Sequence, residues 1–149
     1  MKIVVFASGR GSNFKAIVEN IESGALTNVE VSLLLSNKPE ANVLAYAAEK
    51  GIPHVCVDEK QFASREAYEE AVLAEVKKVC CNLVVLAGYM KILGADFLAN
   101  VGCPVVNIHP SLLPSFPGLH AQKQAVDYGV KVSGCTVHFV DAELDHGPI

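Results

Sequence analysis

Nothing in this chain is long and apolar enough to span a bilayer: the first apolar stretch, Ile3-Val4-Val5-Phe6, is cut short by Ser8-Gly9-Arg10-Gly11. That opening reads as a buried strand and not as a signal peptide. Basic residues are not in excess. Twelve Lys and Arg against 16 Asp and Glu give a net charge of -4, so nothing argues for nucleic acid or an anionic membrane surface. No C-x-x-C occurs among the five cysteines, Cys56, Cys80, Cys81, Cys103 and Cys135, and the adjacent Cys80-Cys81 pair does not easily bridge itself. Free thiols in a reducing cytosol are expected, with Cys56 and Cys135 serving as small buried hydrophobes in strands. No set of His, Cys and carboxylate residues has metal-ligand spacing, so no metal is expected. A G-x-S-x-G elbow is missing, which argues against a serine hydrolase. Internal repeats, linkers and low-complexity tracts are absent as well.

What is present suits one α/β domain. The 149 residues are 51% hydrophobic, with a mean hydropathy of +0.33, as for a sheet covered on both faces. Strand and helix signals alternate, predicting a doubly wound, mostly parallel sheet. Strands are predicted at residues 2–7, 29–35, 54–57, 83–87 and 103–108. Helices are predicted at 13–22, 41–50, 64–79, 95–100 and 121–128, with Ser64 as a cap and Gly129 as a stop. The β-branched, alternating stretch 133–140 predicts a half-exposed antiparallel strand. Gly147-Pro148-Ile149 reads as the entry to a further strand, so a terminal strand and covering helix are expected to be missing.

Three constellations carry chemistry. In a strand, residues two apart share a face, so Asn107 and His109 point the same way at a strand's carboxyl end. One offers an amide donor and the other a group that titrates near neutral pH, a pairing suited to holding an oxyanion and moving a proton. Asp145, in an acidic loop after the last strand, would favour the imidazolium and orient the ring. The alternative is a structural histidine and a surface loop. Second, Ser8-Gly9-Arg10-Gly11-Ser12-Asn13 lies between a strand and a helix. It is either a phosphate cradle on a helix amino end or a plain turn with a Ser or Asn cap. Third, Gly88-Tyr89-Met90-Lys91-Ile92-Leu93 is either one wall of an aromatic pocket or a loop packed on the core. Of the other histidines, His120 caps a helix or lines the cleft, His138 is structural, His54 is exposed and His146 has no clear partner.

These segments, with Leu35-Ser36-Asn37-Lys38, Ser64-Arg65-Glu66, Asn107 to Pro114, Phe116 to His120, Cys135 to Val140 and Leu144 to Ile149, stand in family order. On them the chain resembles the phosphoribosylglycinamide formyltransferase family, folate-dependent formyltransferases of purine synthesis. The resemblance implies a single Rossmann-like formyltransferase domain over 1–149, in the cytoplasm, as a monomer or homodimer. It implies formyl transfer from 10-formyltetrahydrofolate to the amine of glycinamide ribonucleotide through a tetrahedral intermediate. By motif, Asn107, His109 and Asp145 would be catalytic. Gly11, Ser12, Asn13 and Arg65 would hold the substrate phosphate, with Gly88, Met90 and Gly118 lining the ribonucleotide cleft. Met90, Lys91, Ile92, Leu93 and Leu98 would flank the folate pterin, and Asp141, Ala142, Glu143, Leu144 and Asp145 would close over it. Lys91 stands where many relatives carry Arg. The family also continues past Gly147-Pro148-Ile149 with a strand and a helix. Two other readings remain open: a formyl-folate enzyme whose acceptor is methionyl-tRNA, a sugar nucleotide or water, and a non-catalytic folate- or nucleotide-binding domain. The charge of -4 disfavours tRNA.

Overall fold

The computed structural model describes residues 1–149. Six strands form one sheet in the order β3-β2-β1-β4-β5-β6. They are β1 Lys2–Phe6, β2 Glu30–Ser36, β3 His54–Cys56, β4 Leu83–Leu86, β5 Val105–His109 and β6 Thr136–Phe139. The first five run parallel, and β6 pairs antiparallel with β5. Helices α1 Ser12–Glu22, α2 Asn42–Glu49, α3 Arg65–Lys78, α4 Ala95–Asn100 and α5 Ala121–Tyr128 connect them. The expected doubly wound sheet and its late antiparallel strand are both present, with element ends shifted by a few residues.

Strand parity assigns the helices to faces. Ile3 and Val5 bury with Phe14 and Val18 of α1 and Val43 and Ala47 of α2. Val4 and Phe6 bury on the other side with Tyr68, Val72 and Val76 of α3 and Phe97 of α4. Strand β1 is buried on both faces, which is why it reads as an unbroken apolar run. Helix α3 begins where expected, the Ser64 hydroxyl accepting from the Ala67 amide at 3.2 Å.

The strand order reverses between β1 and β4, and ligands of such sheets bind at the carboxyl edge beside that point. Ser8 stitches the edge together. Its amide donates to the Gly88 carbonyl at 3.1 Å. Its buried hydroxyl donates to Asn37 Oδ1 at 2.5 Å and accepts the Met90 amide at 2.8 Å. Three loops, those after β1, β2 and β4, meet on one side chain.

Two cysteine expectations fail. Cys56 and Cys135 are exposed, because each lies at an edge strand that is not covered on both faces. Partial burial and the nearby Asp58 and Glu40 carboxylates still push the Cys56 thiol up. All five cysteines are free. Cys81 and Cys103 stand Sγ to Sγ at 3.5 Å, and burial pushes the Cys103 thiol up to about 12.

Gly11 is where backbone freedom and space coincide. Its φ is +75°, and a Cβ there would lie 2.3 Å from Val43 Cγ2 at the start of α2. Gly11→Ala should therefore lose at least about 2 kcal/mol, combining left-handed backbone with overpacking. Urea unfolding measures this, and an unchanged midpoint would remove Gly11 from the close approach.

Candidate active site

Strand β5 carries the site. Val105 packs into the core beneath α3 and α4, so Asn107 and His109, two and four residues on, continue that face. Helix α4 is only six residues long, and here loops take over from helices. Strand β6 supplies the adjacent positions, His138 opposite Asn107 and Thr136 opposite His109. Thr136 anchors the loop after β5: its hydroxyl donates to the Ser111 carbonyl at 2.7 Å and accepts the Leu113 amide at 3.0 Å.

His109 is 4% exposed and both ring nitrogens face acceptors. Nδ1 lies 3.3 Å from Asp145 Oδ2, and Nε2 lies 2.9 Å from the Phe116 carbonyl oxygen. A ring carrying both protons donates to both; with one proton, one oxygen is left facing a lone pair. The Asp145 carboxylate is nearly as enclosed, at 8% exposure. Its Oδ2 also accepts the Gly118 amide at 2.8 Å, and its Oδ1 stands 3.8 Å from His138 Nε2. The expected convergence of Asn107, His109 and Asp145 is thus present, with Gly118 as a fourth participant whose backbone orients the acid.

Asp145 is delivered by backbone. Its φ is +50°, an unusual conformation for a residue other than glycine. The loop is clamped at both ends, the Phe139 amide donating to the Pro148 carbonyl and the Val140 amide to the Val105 carbonyl, each at 2.8 Å. Gly147 lies flat against β6, where a Cβ would stand 1.9 Å from the Phe139 carbonyl oxygen. Asp141 accepts the Glu143 amide at 2.9 Å and His146 Nδ1 at 3.1 Å. The expectation that His146 lacks a partner is therefore wrong. Hydrogen bonding to His146 and to the Glu143 amide holds the Asp141 carboxyl low, and the bond to Asp141 pushes His146 up. Ala142, Glu143 and Leu144 form the exposed crest.

Across the edge, α1 presents its amino end. Its N-cap is Gly11, with no side-chain cap, so the Ser or Asn cap of the plain-turn reading is not made. Ser12 and Asn13 are exposed in the first turn. The amides of residues 12–14 have no backbone acceptor, an arrangement suited to an anion.

The loop after β4 forms the third side. Gly88 turns with φ +79°, and Met90 and Ile92 stand 59% and 54% exposed. Leu93 is buried in the core and Leu98 packs against it, so these two form a floor rather than a wall. Lys91 pairs with Glu59. Arg65, expected at the phosphate with Gly11, Ser12 and Asn13, is placed elsewhere. Its Nη2 donates to the Ile92 carbonyl at 2.9 Å and its Nε to Glu69 at 2.7 Å. The reason is parity: α3 packs on the Val4 and Phe6 face, and α1 on the opposite one.

Ser8 and His138 belong to this region, yet the sequence reads Ser8 only as part of the loop after β1, without its cross-ties, and His138 only as structural. A signal for His138 exists in Thr136-Val137-His138-Phe139: the polar residues are buried and the apolar ones exposed, the reverse of an ordinary edge strand. His120 takes the N-cap position of α5 with φ +58° but makes no side-chain cap.

A family profile described as Formyl transferase matches residues 1–149. The chain belongs to the formyl transferase family. It is 43% identical over 148 residues to the phosphoribosylglycinamide formyltransferase of Bacillus subtilis (strain 168), covering 99% of this chain and 75% of that protein. It is 44% identical over 149 residues to the trifunctional purine biosynthetic protein adenosine-3 of Drosophila melanogaster, covering 99% of this chain and 11% of that one. The crystal structure of phosphoribosylglycinamide formyltransferase from Bacillus halodurans superimposes with a TM-score of 0.93 at 44% identity, over 99% of this chain and 76% of that chain. Glycinamide ribonucleotide transformylase 1 from Symbiobacterium toebii gives 0.94 at 40%, over 99% and 69%.

For this formyl transferase the clamp at Gly147 is the most sensitive backbone point of the site. Gly147→Ala should lower stability by about 1–3 kcal/mol, because the backbone of β6 cannot recede from the added methyl. Thermal unfolding checks this, and a Tm equal to the parent's would mean the loop is not seated on β6.

Proposed function

We propose that this chain transfers a formyl group from 10-formyltetrahydrofolate to the amine of glycinamide ribonucleotide, a step of de novo purine biosynthesis. The observation that carries the reading is the convergence of Asn107, His109 and Asp145 on one face of β5, in a chain 43% identical to a phosphoribosylglycinamide formyltransferase. Residues 1–149 act as a single formyltransferase domain, built on one sheet with a core on each face.

The chemistry asks three things of the protein. As the amine attacks the formyl carbon, the carbonyl oxygen gains charge, and the Asn107 amide donates to it. A C–N bond forms to the acceptor and the C–N bond to the donor breaks. The proton lost by the acceptor amine is the one the leaving nitrogen needs. His109 moves it through Nε2, which exchanges the Phe116 carbonyl oxygen for the reacting nitrogens. Asp145 stabilises the ring when it carries both protons and fixes its orientation.

The two substrates divide the cleft. The free amides of residues 12–14, with Ser12 and Asn13, take the ribonucleotide phosphate, while Gly88 and Gly118 keep the adjacent backbone close. Met90 and Ile92, exposed apolar side chains around one opening, suit a flat aromatic ring such as a pterin, and Leu144 is exposed on the loop after β6. Lys91 and Arg65 stand beside that opening, and we group Arg65 with the folate rather than the phosphate on its bond to Ile92. Residues 141–145 form the loop over the ring. Five unpaired cysteines support a reducing, cytoplasmic setting.

The direct test mixes the chain with a 10-formyl-folate and glycinamide ribonucleotide and follows deformylation by absorbance. Acceptor-dependent turnover is expected. Turnover without acceptor would make the protein a hydrolase, turnover only with methionyl-tRNA or a sugar nucleotide would change its substrate, and folate binding without turnover would leave a binding domain. In the same assay His109→Ala should lower kcat by about 10²–10⁴-fold and Asp145→Asn should also act on kcat, each with little change in KM. A loss confined to folate KM would move proton transfer to another residue.

A further inference from the structure

Resting on that reading, we infer that His138, neutral and protonated on Nδ1, is the positioning residue that holds the Asn107 amide with its N–H groups available to the reacting oxygen. The two residues are direct cross-strand partners. His138 is 3% exposed and its ring has two polar neighbours within hydrogen-bond reach. Nδ1 lies 3.0 Å from the Phe139 carbonyl oxygen, and Nε2 lies 3.2 Å from Asn107 Nδ2.

A carbonyl oxygen only accepts, so Nδ1 carries the proton. A neutral imidazole has one, so Nε2 is a lone pair. The lone pair calls for a donor, and the Asn107 NH₂ supplies it. The opposite amide orientation would set Asn107 Oδ1 against that lone pair, acceptor against acceptor. One amide hydrogen is thus spent on His138, and its partner stays on the same nitrogen, free for a substrate oxygen. Without His138 no protein group tells the nitrogen of the Asn107 amide from its oxygen: no other side-chain hydrogen bond is made to it.

A second proton on His138 would undo this, since Nε2–H would call for Oδ1. The charged and titratable groups facing the ring are Asp145, with Oδ1 at 3.8 Å, Asp141 farther along the same loop, and His109 on the same face of β5. Asp145 already receives the Gly118 amide and faces His109 Nδ1, and at 3.8 Å it makes no hydrogen bond to His138.

The test has two independent readouts. Long-range ¹H–¹⁵N correlation on the full chain labelled with [¹⁵N]histidine, near neutral pH, should show His138 as the Nδ1–H tautomer, its signals assigned by their loss in His138→Gln. An Nε2–H or doubly protonated pattern would overturn the proposal. In the formyl-transfer assay, His138→Gln keeps an acceptor oxygen toward Asn107 and should stay within about threefold of the parent kcat. His138→Leu keeps the bulk but no acceptor, and kcat should fall by about 10–100-fold, somewhat less than removal of an oxyanion donor, with both KM values within about twofold. A His138→Leu kcat equal to the parent's, or a His138→Gln loss as deep as that of Leu, would refute the role. If Leu fails to fold, the Gln kinetics and the tautomer still decide. Should the unmodified chain transfer no formyl group, the functional reading fails by itself, and the tautomer pattern alone decides the state of His138.

Discussion

Three loops that border the cleft are tied at a single buried hydroxyl, that of Ser8. Parallel strands end at the same edge of a sheet, and the loops leaving them have no ladder of their own to hold them together. Ser8 supplies the cross-ties, donating to Asn37 after β2 and accepting from Met90 after β4. It is 4% exposed, so no larger side chain fits without displacing one of those loops. The turn that leads into the uncapped amino end of α1 begins at the next residue. The apolar wall at Met90 and Ile92 begins at the amide that Ser8 accepts. The relative placement of these loops therefore traces back to one oxygen.

From there the cleft divides by chemistry. Toward α1 it offers backbone donors and little side chain. Toward β5 and β6 it offers ionisable groups enclosed by loops, because the short α4 leaves that part of the sheet face without a helix. Enclosure raises the worth of each hydrogen bond and also the penalty for any that is missing. The network of His109, Asp145, Gly118, Asn107 and His138 leaves few polar atoms idle: the buried side-chain atoms without a partner, Ser32 Oγ and Tyr46 Oη, lie away from it.

Much of this was legible in the chain itself. Apolar runs that end shortly before a glycine mark β1 and β4 to within a residue, and the period of two places Asn107 and His109 on one face. What periodicity does not carry is which face of the sheet a given helix will cover. The family resemblance groups Arg65 with the phosphate, and the burial of Tyr68 and Val72 against Val4 and Phe6 sets it on the other side. His138 reads as structural from the sequence, because its pairing with Asn107 depends on register with β5, a property of two strands rather than one. Residue type predicts Cys56 and Cys135 in the core, whereas their exposure follows from lying at the edges. The left-handed turn at Asp145 is invisible in an aspartate, a residue that seldom adopts it.

That turn also bears on how the protein can change over evolutionary time. Most surface loops drift in length, absorbing insertions and deletions with little effect on what lies beneath. The segment 141–147 is largely exposed along its crest, yet it is pinned at both ends to β5 and β6 and must set one short side chain against His109. An aspartate has only two rotatable bonds with which to correct an error in backbone position. The crest residues are free to vary in identity while their number is not, so the segment should accumulate substitutions at the rate of a surface and insertions at the rate of a core strand.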